Sequence, residues 1–302
     1  MKNKFLVISI FAIILSCKND KKEALDNYNT EHIETIKLSP NRPNLNISIL
    51  LDLSDRINPK KFPNPAMEFF ERDLGYINSV ANSFELHLRN KRTIKINDHI
   101  HLYIDPEPSD SALNEKIALL DMTFTKDNAK KDYILQTSVL YDSISRAIYK
   151  SAIDDDNYVG SDLWGFFKTN VEDFCIEKDH RNVLVLITDG YVFHKDAKLK
   201  EGNLTSYLTP QEIRNSKLDN SKWKSKMQKD NYGFIISKNN LQDLEVLVLG
   251  INPDSKNPYE QDVIFEYWNN WLTRMEVKNF EIKTALLPAN MDKIIQDYIL
   301  KE

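Results

Sequence analysis

The chain has 302 residues, of which 41% are hydrophobic, 28% charged and only seven glycine. Glycine at about a third of its usual ~7% share excludes collagen-like repeats and glycine-rich linkers, and the apolar fraction suits a globular protein with a sizeable core. A formal charge of −5 offers no cationic field to draw in nucleic acid, so none is expected as a partner.

Lys2 and Lys4 precede the apolar run Phe5 to Leu15, which ends in Ser16 and Cys17. A basic segment, a short apolar segment and a small residue before the cut form an export signal. Eleven helical residues rise about 16 Å, well short of the roughly 30 Å hydrocarbon core, so the run is not expected to stay as a spanning helix. Ile14-Leu15-Ser16-Cys17 resembles a bacterial lipobox. That resemblance implies a lipoprotein signal peptide at 1–16 and a mature chain that begins at Cys17, lipidated at sulfur and acylated, with palmitate-class chains, at its new amino terminus. An ordinary signal peptide with an incidental cysteine is the alternative. Removal of residues 1–16 takes the formal charge from −5 to −7, because Lys2 and Lys4 leave with them. Lys18 after the cysteine is similar to outer-membrane sorting in some bacteria, which places the expected location in the cell envelope, lipid-anchored at the outer membrane. Residues 17–44, rich in Lys, Asn, Asp and Glu, read as a polar tether.

From residue 45 to 302 strand and helix signals alternate. Ile47 to Asp52 reads as a buried strand. Phe70, Leu74, Ile77, Ala81, Phe84 and Leu88 carry helical spacing, with Asn64-Pro65 as cap and first turn. Ile100, Leu102 and Ile104 alternate as a second strand. Leu140, Ile144, Ala147 and Ile148 mark a helix, and Leu163, Phe167, Val171 and Phe174 the next. Cys175, at the end of that pattern, reads as a small buried hydrophobe. Val183 to Ile187 is an uninterrupted apolar run, as a central parallel strand requires, and Glu245 to Ile251 gives another. Ile264, Trp268, Trp271, Leu272 and Met275 form a helical stripe, with the two tryptophans on its core face. Phe280 to Leu287 is the last strand, and Met291, Ile294, Ile295, Tyr298 and Ile299 mark a closing helix. The alternation predicts an α/β, doubly wound, mostly parallel central sheet with helices on both faces.

Residues 195–240 break the pattern. They hold ten basic residues against five acidic, and Thr209-Pro210-Gln211-Glu212 has the form of a capping box. The segment reads either as a solvated surface insertion or as a partner-binding excursion.

In open parallel sheets ligands bind beyond the carboxyl ends of the strands. Asp52-Leu53-Ser54-Asp55-Arg56, Thr188-Asp189-Gly190 and Gly160-Ser161-Asp162 should meet there. Their carboxylates and hydroxyls form an oxygen donor set suited to a hard cation such as Mg2+ or Mn2+. Gly160 and Gly165 begin a G-x-x-x-x-G, but Phe166 and Phe167 follow where a phosphate-binding loop needs Lys and Ser or Thr. The six histidines show no HExxH motif; His99 and His101 share a strand face without ligand partners in the sequence and read as structural.

Asp52-x-Ser54 after an apolar strand, Ser161 after a glycine, and Ile187-Thr188-Asp189-Gly190 are similar to the von Willebrand factor type A (vWA) fold over about residues 45–302. The resemblance implies a metal-ion-dependent adhesion site with Asp52, Ser54, Ser161 and Asp189 as metal ligands, Ser161 standing where a threonine is usual. Arg56 takes the place of a second serine, so a permanent cation stands where a hydroxyl is expected. It is expected either to fill the site itself through Asp52 and Asp189 or to point outward and pair with Asp55; with Asp162 these residues would modulate the site. The resemblance implies recognition of a protein partner, through an acidic residue of that partner, rather than turnover. The alternatives are a metal-dependent phosphoester hydrolase using Asp52, weakened because Ser54 replaces the second carboxylate of a D-x-D loop, and a structural envelope lipoprotein with a decayed metal site.

Overall fold

The computed structural model describes residues 38–53, 55–155 and 160–301. The expected signal segment, Cys17, the tether up to residue 37 and Ser54 lie outside the described residues. No helix among the described residues is long and apolar enough to cross a membrane.

Six strands form the central sheet: β1 (Asn44–Leu51), β2 (Asn97–Ile104), β3 (Met122–Thr125), β4 (His180–Ile187), β8 (Leu244–Ile251) and β9 (Asn279–Thr284). A smaller sheet holds β5 (Lys200–Glu201), β6 (Leu204–Thr205) and β7 (Gly233–Phe234). The central order is β3-β2-β1-β4-β8-β9, parallel throughout except for the pairing of β3 with β2. The α/β, doubly wound and mostly parallel architecture is therefore present.

Side-chain alternation along the buried strands divides the core into two layers. Ile47, Ile49, Leu51, Val183, Val185 and Ile187 face one side. Three helices cover them: α1 (Phe69–Asn90), α3 (Lys131–Asp154) and α9 (Pro288–Leu300). Leu50, Leu184, Leu186, Val246 and Val248 face the other, against α4 (Leu163–Thr169), α5 (Val171–Cys175) and α8 (Glu260–Arg274). Trp268 and Trp271 of α8 are fully buried with ring centroids 5.4 Å apart, so they pack the core as their spacing indicates. Cys175 is likewise buried, and burial pushes its thiol up to about 12.

Several elements depart from the sequence reading. Helix α1 begins at Phe69, and Asn64 instead caps a separate turn, accepting from the amides of Ala66 and Met67. The helix expected across Leu163 to Phe174 is two short helices divided at Asn170, whose φ is −113°, and Phe174 is exposed. Helix α2 (Ser111–Ile117) and strand β3 carried no periodic signal long enough to find.

The segment 195–240 is folded. Beside the small sheet it holds α6 (Pro210–Asn215) and α7 (Trp223–Asp230), and Thr209 caps α6 by accepting from the Glu212 amide at 3.1 Å. Most of its lysines are exposed, while Leu208, Ile213, Leu218, Met227 and Phe234 are buried in the second core layer. Trp164 of α4 donates its indole N–H to the Ile235 carbonyl at 2.9 Å.

The two strand histidines are satisfied by ion-pair partners, as a structural role requires. His99 and His101 do have partners: His99 Nδ1 lies 2.5 Å from Glu177 Oε2, and His101 Nδ1 lies 2.7 Å from Asp121 Oδ1. These carboxylates come from distant segments, so their spacing could not reveal them.

Phe234 packs its ring 5.0 Å from that of Trp271 and 5.2 Å from that of Tyr267. Phe234→Ala is expected to cost about 3–5 kcal/mol, measured by the shift of the denaturant midpoint at unchanged slope. A solvated insertion would give no shift.

Candidate functional site

Strand β1 lies between β2 and β4, so the chain builds the sheet outward from it in both directions. The crevice beyond the carboxyl ends of β1 and β4 is therefore the topological switch point, where open α/β sheets bind ligands. Ladder bonds hold both chain ends in place: the Asp52 amide donates to the Ile187 carbonyl at 2.9 Å, and the Thr188 amide to Leu249 at 3.0 Å.

Asp52, Ser161 and Asp189, three of the four residues named as ligands, meet in this crevice. Asp52 accepts a 2.7 Å hydrogen bond from the Thr188 hydroxyl, which in turn accepts from the Gly190 amide at 3.0 Å. The Ser161 hydroxyl accepts from the Leu53 amide at 3.0 Å and donates to the Leu51 carbonyl at 3.2 Å, joining the third loop to the end of β1. Asp189 accepts from the Tyr191 amide at 2.9 Å. Close approach depends on two glycines with left-handed φ, +96° at Gly190 and +100° at Gly250. A Cβ on Gly190 would lie 2.6 Å from Ile264 Cγ2, and one on Gly250 would lie 2.9 Å from the Thr188 carbonyl oxygen.

Asp55 opens a 3-10 turn, Asp55–Ile57, that carries Arg56 back into the protein. Arg56 is buried and does not point outward. Its Nη2 donates to both oxygens of Asp73, at 3.2 and 3.1 Å, and its Nε stands 3.9 Å from Asp189 Oδ2. The guanidinium also lies 5.6 Å from the centre of the Phe69 ring. Tyr149 of α3 donates to Asp73 at 3.1 Å. Asp162 caps α4, accepting from the Gly165 amide at 2.9 Å.

Burial, reinforced by Asp189 and opposed by the Thr188 hydrogen bond and Arg56, pushes the Asp52 carboxyl up to about 8. Burial also raises Asp73, with Arg56 acting against the rise. For Arg56 burial disfavours the charge, but Asp73 and Asp189 outweigh it and hold the guanidinium above its ordinary value. Among the described residues, the carboxyl groups of Asp52, Asp73 and Asp189 thus converge on Arg56, with Arg72 also acting on Asp73.

Two of these groups escaped the sequence reading. Thr188 stood in the strand-end cluster but not in the proposed ligand set. Asp73 sits on the core face of α1, four residues before Ile77, and an acidic residue inside an apolar stripe was the available signal.

No family model and no curated protein sequence matches the chain. Solved structures resemble it weakly. An aerotolerance-related membrane protein from Bacteroides fragilis is 13% identical, over 85% of this chain and 98% of that one, with a TM-score of 0.37. The pilus adhesin SpaC from Lactobacillus rhamnosus GG is 10% identical, over 87% of this chain and 32% of that one, with a TM-score of 0.40. The proximal thread matrix protein 1 of the mussel byssus is 11% identical, over 84% and 48%, with a TM-score of 0.32. Likeness at this level carries no argument about activity or partners. The class of the protein is set by its own topology, a doubly wound α/β domain with an acidic crevice at its switch point.

Arg56→Met leaves Asp73 buried without its counter-charge and is expected to cost about 3–5 kcal/mol in chemical denaturation. Asp52 gives a pH signature in metal-free buffer. Its folded pKa of about 8 lies above the ordinary carboxylate value of 3.8, so the native state holds the extra proton and loses stability as pH rises between those values. Asp52→Asn should therefore raise the melting temperature most above pH 8 and progressively less towards pH 4; a gain independent of pH would refute the burial argument.

Proposed function

We propose that the chain is a vWA-like binding module, held in the bacterial cell envelope by lipid on Cys17, that recognises an acidic group of a protein partner at the switch-point crevice. The observation that carries this reading is the convergence of three buried carboxyl groups, Asp52, Asp73 and Asp189, on the guanidinium of Arg56 at the strand ends.

The donor chemistry fits a hard divalent cation, Mg2+ or Mn2+. Asp52 and Asp189 supply charge, and Ser161 and Thr188 supply hydroxyl oxygens from separate loops. Thr188 accepts only one bond among the described residues, from Gly190, and a hydroxyl oxygen has two lone pairs. Burial first, and Asp189 second, hold Asp52 protonated up to about 8, and added positive charge would favour its ionised form. When bound, the cation would offer a coordination position to a partner carboxylate. Arg56 acts in two ways: it holds Asp73 and Asp189 in place, and its charge lowers the affinity for any second cation nearby.

Binding is favoured over turnover because Asp52 lies against Thr188 and a D-x-S loop supplies no second carboxylate to act as an acid. Calorimetric titration of Mg2+ and Mn2+ into the full chain in detergent tests the reading. Saturable heat is expected, weakened about tenfold or more in Asp52→Ala and Asp189→Ala. Absence of heat in the parent protein would sink the cation-dependent version and leave a structural envelope lipoprotein. Phosphate release from simple phosphoesters, lost in Asp52→Ala, would replace the binding reading with hydrolysis.

A further inference from the structure

Among the described residues a second polar cluster lies at the opposite end of the sheet from the crevice. Strands β2 and β4 flank β1, with His99 paired to Asn46 and His180 paired to Asn44. Asn44 and Asn46 are two residues apart and share a face, so both imidazoles rise from the same side of the sheet. Their ring centres are 5.1 Å apart across β1. Glu177, in the loop between α5 and β4, brings its carboxylate to both, 2.5 Å from His99 Nδ1 and 4.0 Å from His180 Nδ1. One ligand atom from each of the three residues lies within 4.8 Å of the others.

We propose that His99, Glu177 and His180 form a binding site for Zn2+ or a similar first-row divalent ion. Two imidazoles and one carboxylate are a recognised zinc donor set, and imidazole nitrogen selects against Mg2+. Ligands at the usual zinc distances lie roughly 3.4 Å apart around a tetrahedral ion. The three groups reach that arrangement by widening the His99–Glu177 contact and drawing His180 and Glu177 closer. Glu177 is 39% exposed on its loop and can make most of that movement, whereas the histidines are fixed on strands.

The surroundings orient the imidazoles as ligands require. His180 Nε2 faces the Asn97 carbonyl at 2.9 Å, the kind of backbone contact that sets the ring of a metal-ligating histidine. Its other nitrogen, Nδ1, lies 2.9 Å from the Lys178 carbonyl, and metal binding would take the place of this contact. His101, whose ring centre is 5.8 Å from that of His99, is held by Asp121 and flanks the cluster. A site of three protein ligands keeps a fourth coordination position for water or for a carboxylate or imidazole from another molecule. The cluster shares no residue with the switch-point crevice, so its fate is independent of the function proposed there.

The test is zinc titration of the untagged full chain in detergent, followed by calorimetry, with Co2+ absorption as a second probe. In excess Mg2+, which occupies the crevice, one zinc ion per chain is expected, with affinity at least about tenfold weaker in His99→Gln and in Glu177→Gln. The two variants alter partly exposed side chains, and circular dichroism checks their fold. X-ray absorption of the zinc-loaded parent, which needs no variant, should show nitrogen and oxygen donors together. No saturable binding, undiminished binding in either folded variant, or an all-oxygen shell would each overturn the proposal.

Discussion

The contact between Arg56 and Asp73 is the constraint around which the crevice is arranged. It links the loop after β1 to the core face of α1, in a place where neither charge could remain alone. A lone buried charge is strongly disfavoured, so the turn at Asp55–Ile57 must fold inward wherever α1 packs against the sheet. The guanidinium then lies near Asp189 at the end of β4, and one cation coordinates the ends of two neighbouring strands with a helix.

The rest of the crevice follows from hydrogen bonds that would otherwise be lost on burial. Thr188 satisfies Asp52, Ser161 satisfies the backbone on both sides of Asp52, and Gly190 and Gly250 permit the backbone to come this close. Each of these residues has a local structural task. The convergence of Asp52, Asp73 and Asp189 on Arg56 remains after those tasks are met.

The elements that were legible in the sequence are those whose burial repeats over many residues. Strands β1, β4 and β8 are runs of aliphatic residues covered on both faces, and α1, α8 and α9 show one apolar stripe each. Strand β3 has four residues, and β5 to β7 have two each, too few for a period to appear. Asp52 and Asp189 were legible because they follow recognisable strands directly. The partner of Arg56 was not, since Asp73 sits on a helix whose rotation is fixed only by packing. Nor was the histidine cluster, because β2 and β4 come together only through the order of the sheet.

The margins of that sheet also bear on how the protein behaves among copies of itself. One margin is β3, four residues running against its neighbour, and the other is β9, where Glu281 and Lys283 pair at 2.7 Å. A short strand and a charged one offer an incoming chain few unpaired amides and carbonyls and a poor surface to settle on. The aliphatic strands that would be most prone to stacking, β1 and β4, are enclosed between others. The fold thus discourages end-on growth of one sheet into the next, which matters wherever many molecules are confined to a small area.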